Sequence, residues 1–332
     1  VGGMQLYKAE MPGVEKDKLQ PRLKETASLL WGVYMILTLA CATLYKYGGM
    51  SGFDAICHAF TTVATGGYSN HDASMGYFDS PFIEGVCIAF MLLGAFNFGL
   101  HFLFLQRRSF KVYYKNTELR LFFAILAGII LIVAVRLTGA ETGYETFGES
   151  LRHTMFNFTA VMTTTGYATQ DYSQWPLVAS MLVMVLMFIG GCSGSTAGGM
   201  KVLRIMLISK QGMRELKKMI HPHAIVHLKL GGRHVHDKIV QAVWSFAGLY
   251  IISFIVIASA LSLHDGLDLV TAFSAAAATI TGLGPALGDL GPASNYGGLQ
   301  EQAKYLLCFS MLLGRLELFT LLVILTPDYW RK

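Results

Sequence analysis

Four stretches of this chain run for 19 to 25 residues without one Asp, Glu, Lys or Arg: 27–45, 85–105, 177–200 and 239–263. A helix needs about 20 apolar residues to cross the hydrocarbon core of a bilayer, so each run is long enough, or nearly so, to span a membrane. Two weaker runs complete the series. One is 121–135, closed by Arg136, and the other is 305–326, interrupted by Gly314-Arg315-Leu316-Glu317. Six spans are therefore expected. Composition agrees: charged residues are 14% of the 332, where a soluble domain carries about 25%. Cys41, Cys57, Cys87, Cys192 and Cys308 fall mostly in apolar runs with no CxxC spacing, which reads as small buried thiols rather than disulfides or a metal site.

Between the paired spans lie segments too short to cross: 53–65, 147–165 and 268–281. Each is moderately apolar, starts near an acidic residue and ends in a Thr/Gly cluster. Such lengths predict re-entrant half-helices. The fold class expected is all-α integral membrane, with a helix–half-helix–helix unit occurring three times.

The distribution of charge orients these units. Segments 1–25, 106–120, 201–238 and 331–332 hold 21 Lys/Arg against 7 Asp/Glu, whereas 48–80, 139–180 and 264–300 hold Arg152 alone against 10 Asp/Glu. By the positive-inside rule the first set is cytoplasmic and the second external, so all three half-helices enter from outside. The formal net charge of +5 thus separates into a basic inner face and an acidic outer one.

The three half-helices end in Ala-Thr-Gly-Gly67-Tyr-Ser-Asn-His-Asp72, Thr-Thr-Thr-Gly166-Tyr-Ala-Thr-Gln-Asp171 and Thr-Gly-Leu-Gly284-Pro-Ala-Leu-Gly-Asp289. Each has a Gly, then a ring-bearing residue (Tyr68, Tyr167, Pro285), then an Asp five positions after the Gly. This register reads as an internal repeat. Its chemistry fits ion permeation. Irregular backbone at membrane depth is tolerated where it lines a cavity, and Gly permits the dihedrals that turn successive carbonyls toward an axis. Rings of carbonyls replace the hydration shell of a cation. Half-helices entering from outside would point their negative C-terminal ends at that cavity, and Asp72, Asp171 and Asp289 would concentrate cations at its outer mouth.

The fourth run contains Gly190-Gly191-Cys-Ser-Gly194-Ser-Thr-Ala-Gly198-Gly199-Met-Lys201, five glycines in ten residues. It should break a helix, since each Gly costs about 1 kcal/mol relative to Ala. Gly194 and Gly199 have the spacing of a phosphate loop, but Met200 intervenes before Lys201 and Val202 stands where Ser or Thr is required. A flexible intramembrane loop is the better reading, with close packing of small residues as the alternative. Arg315 stands inside the last span, where a charge is functional by default. Region 201–238 carries nine Lys/Arg and five His (His221, His223, His227, His234, His236), and the alternation over 226–230 before Gly231-Gly232 predicts a β-hairpin. No standard metal-ligand spacing occurs among these histidines.

At these residues the sequence resembles the Trk/Ktr family of bacterial potassium-uptake proteins, particularly the Trk-type membrane subunit. The resemblance rests on Thr-Gly-Gly-Tyr-Ser-Asn-His-Asp, Thr-Thr-Gly-Tyr-Ala-Thr, the Gly-rich 190–199 stretch and Gly314-Arg-Leu-Glu-Leu-Phe-Thr, and covers essentially the whole chain. It implies repeats around one central ion pore, four in the family, of which three are found here. The chain therefore reads as part of a longer one that lacks a first repeat.

The resemblance places filter residues at Thr65, Gly66, Gly67 and Tyr68, at Thr164, Thr165, Gly166 and Tyr167, and at Thr281, Gly282, Leu283 and Gly284. It makes 190–199 a gate and puts Arg315 beside the pore. Gly66 is an extra Gly, and Pro285 stands where Tyr would otherwise sit, so the filter is expected to be asymmetric. The implied organisation is a cytoplasmic connector (1–25), pore repeats at 26–105, 106–210 and 239–332, and a cytoplasmic basic hairpin at 211–238. Implied partners are K⁺, the lipid bilayer of a bacterial inner membrane, a second copy in a homodimer, and a cytosolic nucleotide-binding regulatory subunit that docks on the basic face. The expected function is gated K⁺ uptake. The alternative is a Na⁺-conducting or Na⁺-coupled relative, and coupling by symport stays open. With no HExxH, no GxSxG and no paired carboxylates within a span, no enzyme is expected, nor a cofactor in this chain beyond the transported ion, nor a nucleic-acid partner.

Overall fold

In the computed structural model, residues 23–139, 144–224, 226–264, 266–316 and 318–330 are described. Most of the connector 1–25, together with Glu141, Asp265, Glu317 and residues 331–332, lies outside them. The elements in chain order are α1 (Leu23–Tyr47), α2 (Gly52–Val63), α3 (Pro81–Ala95), α4 (Phe98–Arg107), α5 (Lys111–Tyr114), α6 (Thr117–Leu137), α7 (Phe147–Met162), α8 (Leu177–Ile189), α9 (Val202–Ile220), β1 (Lys229–Leu230), β2 (Arg233–His234), α10 (Asp237–Leu261), α11 (Leu269–Thr281), α12 (Glu301–Arg315), α13 (Leu318–Leu325) and α14 (Pro327–Trp330).

Helices α1, α6 and α10 are each long and apolar enough to cross a membrane. They also expose large apolar side chains, among them Ile36 and Leu39 on α1, Leu131 and Ile132 on α6, and Ile252 and Val256 on α10. Such surface is stable against lipid and not against water. The other three expected spans are not single straight helices. The run 85–105 divides into α3 and α4, bent by 98°, and 301–325 into α12 and α13, bent by 116°. The run 177–200 is helical only to Ile189. Each unbroken span is thus followed by a half-helix and then by a helix that breaks.

The half-helices α2, α7 and α11 start where the sequence offers caps. Ser51 Oγ accepts from Asp54 N at 3.0 Å, Thr146 Oγ1 from Glu149 N at 3.3 Å, and Asp268 Oδ1 from Thr271 N at 2.9 Å. A short polar cap of this kind satisfies one of the donors that a helix start leaves unpaired. The two later half-helices lie at the centre of the molecule. Ala275, Ala276, Ala277 and Ala278 of α11 are wholly buried, and so are Phe156, Phe158, Ala160 and Met162 of α7. Small residues let the helices meet closely. At Gly314 of α12 an added Cβ would overlap the carbonyl oxygen of Ile280, so α12 rests directly on the backbone of α11.

The hairpin predicted from 226–232 is present in short form. β1 and β2 pair antiparallel across Gly231-Gly232, both with positive φ. Leu228, Val235, Val240 and Val243 form a small apolar cluster that fixes it against α9 and α10. Cys41, Cys87 and Cys192 are buried free thiols, as expected, whereas Cys57 is half-buried and Cys308 exposed.

Candidate ion pathway

The three half-helices end in the same backbone shape. After α2, the N–H groups of Gly66 and Gly67 both donate to Thr61 O, at 2.7 and 3.2 Å. After α7, Thr165 and Gly166 donate to Ala160 O at 2.8 and 3.2 Å. After α11, Leu283 and Gly284 donate to Ala278 O at 2.8 and 3.5 Å. In each loop two residues two apart are left-handed: Thr65 and Gly67 (φ 50° and 66°), Thr164 and Gly166 (53° and 83°), Gly282 and Gly284 (74° and 102°). Left-handed backbone is costly for a β-branched residue, so Thr65 and Thr164 mark conformations that the surroundings impose. A left-handed residue alternating with an ordinary one turns the carbonyls of an extended loop toward one side, whereas in a strand they alternate. This register aligns Gly282–Pro285 with Thr65–Tyr68 and Thr164–Tyr167, with Thr281 one residue earlier.

The loops also abut one another. An added Cβ on Gly67 would overlap the carbonyl oxygen of Thr165, and one on Gly166 would overlap that of Leu283. The first loop therefore leans on the second, and the second on the third. Hydroxyls tie them further: Tyr167 Oη lies 2.6 Å from Thr61 Oγ1, and Thr61 Oγ1 donates to Tyr68 O at 2.8 Å. Tyr167 is almost fully buried, whereas the side chain of Tyr68 is exposed. The two tyrosines of the repeat therefore face different surroundings.

Residues 190–201 form a non-helical loop against the inner ends of all three half-helices. Thr196 Oγ1 is within hydrogen-bond distance of Val63 O and Gly94 O at 3.1 and 3.0 Å, and Thr65 Oγ1 donates to it at 3.2 Å. Gly198 N donates to Thr164 Oγ1 at 2.6 Å, and Gly199 N to Thr281 O at 3.1 Å. Glycine is required in this loop by space. A Cβ on Gly198 would overlap Thr281 O, and one on Gly190 would overlap Gly198 O. Gly191 and Gly194 face the broken first unit: a Cβ on Gly191 would come within 3.1 Å of Ala95 O, and Gly194 O accepts from Phe98 N at 3.0 Å.

Three charged side chains fix this loop. Arg315, at the end of α12, donates from Nη1 to Thr196 O at 3.1 Å. Lys201 is half-buried and left-handed (φ 72°), and turns back on its own loop to donate to Ala197 O. The third is Glu118, in the first turn of α6. One oxygen, Oε1, accepts from Ser193 N at 2.7 Å and from Leu203 N at 3.2 Å, so a single buried carboxylate pins both ends of the loop. Nothing in the sequence marks Glu118 for this task except that it is the sole acid in the basic stretch 106–120.

The three aspartates that follow the repeated Gly by five residues differ in setting. Asp72 and Asp289 are exposed, while Asp171 caps the turn Tyr172–Gln174, accepting from Ser173 N at 3.0 Å and Gln174 Nε2 at 2.8 Å. In the basic segment 201–238, ring nitrogens of His227 and His234 lie 3.1 Å apart. Among the described residues no cluster of three His, Cys, Asp or Glu is arranged to hold a metal.

Comparison with known proteins places the chain in a family. A family model described as TrkH, cation transport protein, matches residues 1–332. The Trk system potassium uptake protein TrkH of Halomonas elongata is 48% identical, over 100% of this chain and 68% of its own length. TrkH of Escherichia coli K12 is 45% identical over the same shares. The crystal structure of the potassium transporter TrkH from Vibrio parahaemolyticus matches with a TM-score of 0.90 at 42% identity, covering 98% of this chain and 69% of that one.

Proposed function

Because this chain belongs to the TrkH family of cation transport proteins, we propose that it is the membrane subunit of a Trk-type system and takes up K⁺ through a pore walled by the loops at 65–68, 164–167 and 281–285. The observation that carries this is the threefold recurrence of one backbone shape, with two left-handed residues and two N–H groups sharing one carbonyl, in loops that touch edge to edge. Carbonyls so arranged replace the hydration shell of a dehydrated cation. The half-helices bring the negative ends of their dipoles to the same place, and exposed Asp72 and Asp289 add charge outside it.

The loop 190–201 is the gate in this reading. It lies across the inner ends of the half-helices, tethered through Thr196, Gly198 and Gly199 and held by Arg315. The basic segments face the cytoplasm of a bacterial inner membrane, where the hairpin and α9 offer a docking face to a nucleotide-binding regulatory subunit. A second copy completes a homodimer. Pro285 in the third loop favours one further reading, a Na⁺-conducting or Na⁺-coupled transporter, because the walls are unequal.

Gly166→Ser tests the filter assignment. The new side chain would collide with Leu283 O, so K⁺ uptake by cells lacking other transporters is expected to fall, or its selectivity over Na⁺ to weaken. Uptake and selectivity equal to the parent at equal abundance would remove the assignment.

A further inference from the structure

The phenol of Tyr296 donates a 2.7 Å hydrogen bond to the carbonyl oxygen of Gly284. Tyr296 belongs neither to α11 nor to the loop that follows it. It stands in the short external turn Tyr296–Gly298, which Asn295 caps by accepting from Gly297 N at 2.8 Å. Burial pushes its phenol well above the ordinary tyrosine range, so the group keeps its proton at any working pH and is always a donor.

Gly284 has little else to hold it. Its φ is +102°, and nothing lies within 4 Å of the place a Cβ would occupy. Gly67 and Gly166, its counterparts in the other two loops, are wedged against the backbone of the next loop. The third loop also lacks the ring hydroxyl of the second. Tyr167 braces the loop before it through Thr61, whereas Pro285, in the same register, has no hydroxyl to offer. Its own N–H reaches only Ala278 O, at 3.5 Å, and the ring of Pro285 narrows its ψ without fixing it, so without Tyr296 the carbonyl would sample a wider range of directions.

We propose that Tyr296 is a positioning residue for cation selectivity: its hydroxyl sets the direction of the Gly284 carbonyl from outside the loop, in the one loop whose ring-bearing position, Pro285, has no hydroxyl. This rests on the reading of the three loops as a filter. Discrimination between cations of different radius depends on how many carbonyls face the ion and how firmly they are held. Tyr296 gives the third wall a fixed carbonyl despite its departure from the motif.

The test is Tyr296→Phe in the intact transporter, reconstituted in liposomes, with K⁺ and Na⁺ fluxes measured separately and Gly166→Ser run beside it. Phe keeps the ring and removes only the donor. The K⁺/Na⁺ flux ratio, read at equal abundance, is expected to fall severalfold, because the Gly284 carbonyl loses its fixed direction. If Gly166→Ser changes the ratio and Tyr296→Phe does not, the filter stands and the brace is overturned. Fluxes that fall in proportion to lost protein, with the ratio unchanged, also overturn it. If neither variant moves the ratio, the filter reading fails and the brace with it.

Discussion

Arg152 grips Glu84 with two prongs, Nε at 2.8 Å from Oε2 and Nη2 at 2.7 Å from Oε1, and Nη2 reaches Asp79 at 3.1 Å as well. Arg152 is the one Lys or Arg in segments 48–80, 139–180 and 264–300 and sits on the half-helix α7, while Glu84 lies on α3 of the preceding unit. Two successive helix–half-helix–helix units are thus locked by a planar, bidentate pair, a geometry that guanidinium provides and ammonium does not. The side chain of Glu84 is only 4% exposed, so its charge has no other solvent to turn to.

Removing Arg152 would strand that carboxylate. Arg152→Ala is expected to destabilise the protein by about 3 kcal/mol, the low end for breaking a buried pair, because the side chain of Arg152 is 30% exposed. Thermal unfolding in detergent measures it. Arg152→Ala combined with Glu84→Gln should recover much of the loss, and a double variant no more stable than the single one would refute the pairing.

Glu118 makes a prediction about the loop 190–201, the proposed gate. Glu118→Ala removes the acceptor for both Ser193 N and Leu203 N and leaves two buried donors, each costing about 1–3 kcal/mol. The loop should loosen, so Rb⁺ influx is expected to rise severalfold with the K⁺/Na⁺ ratio unchanged. Glu118→Gln keeps an oxygen in place and should stay near the parent. Equal effects of Ala and Gln would show that charge, rather than the two hydrogen bonds, holds the loop.

Arg315 joins α12 to the loop through one bond to Thr196 O. Arg315→Gln, which shortens the reach and removes the charge, is expected to raise basal influx. Deleting 191–199 should raise it further, and a folded deletion that conducts no more than the parent would contradict the gate. Because both changes act on one loop, their effects should not add.

Asp268 caps α11 and is held below the ordinary carboxylate range by the Thr271 hydroxyl and, more weakly, by backbone N–H groups. A carboxyl whose pKa is lower in the folded state stabilises above the unfolded value, near pH 4, and loses that contribution as pH falls toward the folded one. Asp268→Asn keeps the cap but should flatten this acid limb in thermal melts at decreasing pH. Asp268→Ala should cost about 1 kcal/mol at neutral pH. An acid limb unchanged in the Asn variant would assign it to another group.

The half-helices were legible because their signals are local. Expected at 53–65, 147–165 and 268–281, they form at 52–63, 147–162 and 269–281, each with its Ser, Thr or Asp cap and a Thr/Gly exit. The break at 96–97 was not legible. Hydropathy over 85–105 registers no charge, and what ends α3 is a long-range exchange in which Thr196 N takes Gly94 O and Gly194 O takes Phe98 N, with Asn97 capping α4. Glu84, Glu118 and Tyr296 escaped for the same reason, since each acts across 12 to 85 residues of chain on a backbone group or a cation that no spacing rule connects to it. Composition reveals where charge is rare; it does not reveal which rare charge has a partner.

The wedging of Gly67 on Thr165 and of Gly166 on Leu283 makes the loops behave like stones of an arch. No stone can be reshaped without shifting the next, so the ion preference proposed for them would belong to the row and not to any one position. Variation that tunes such a row has to arrive in neighbouring pairs, or enter from the flank, where the masonry is loosest.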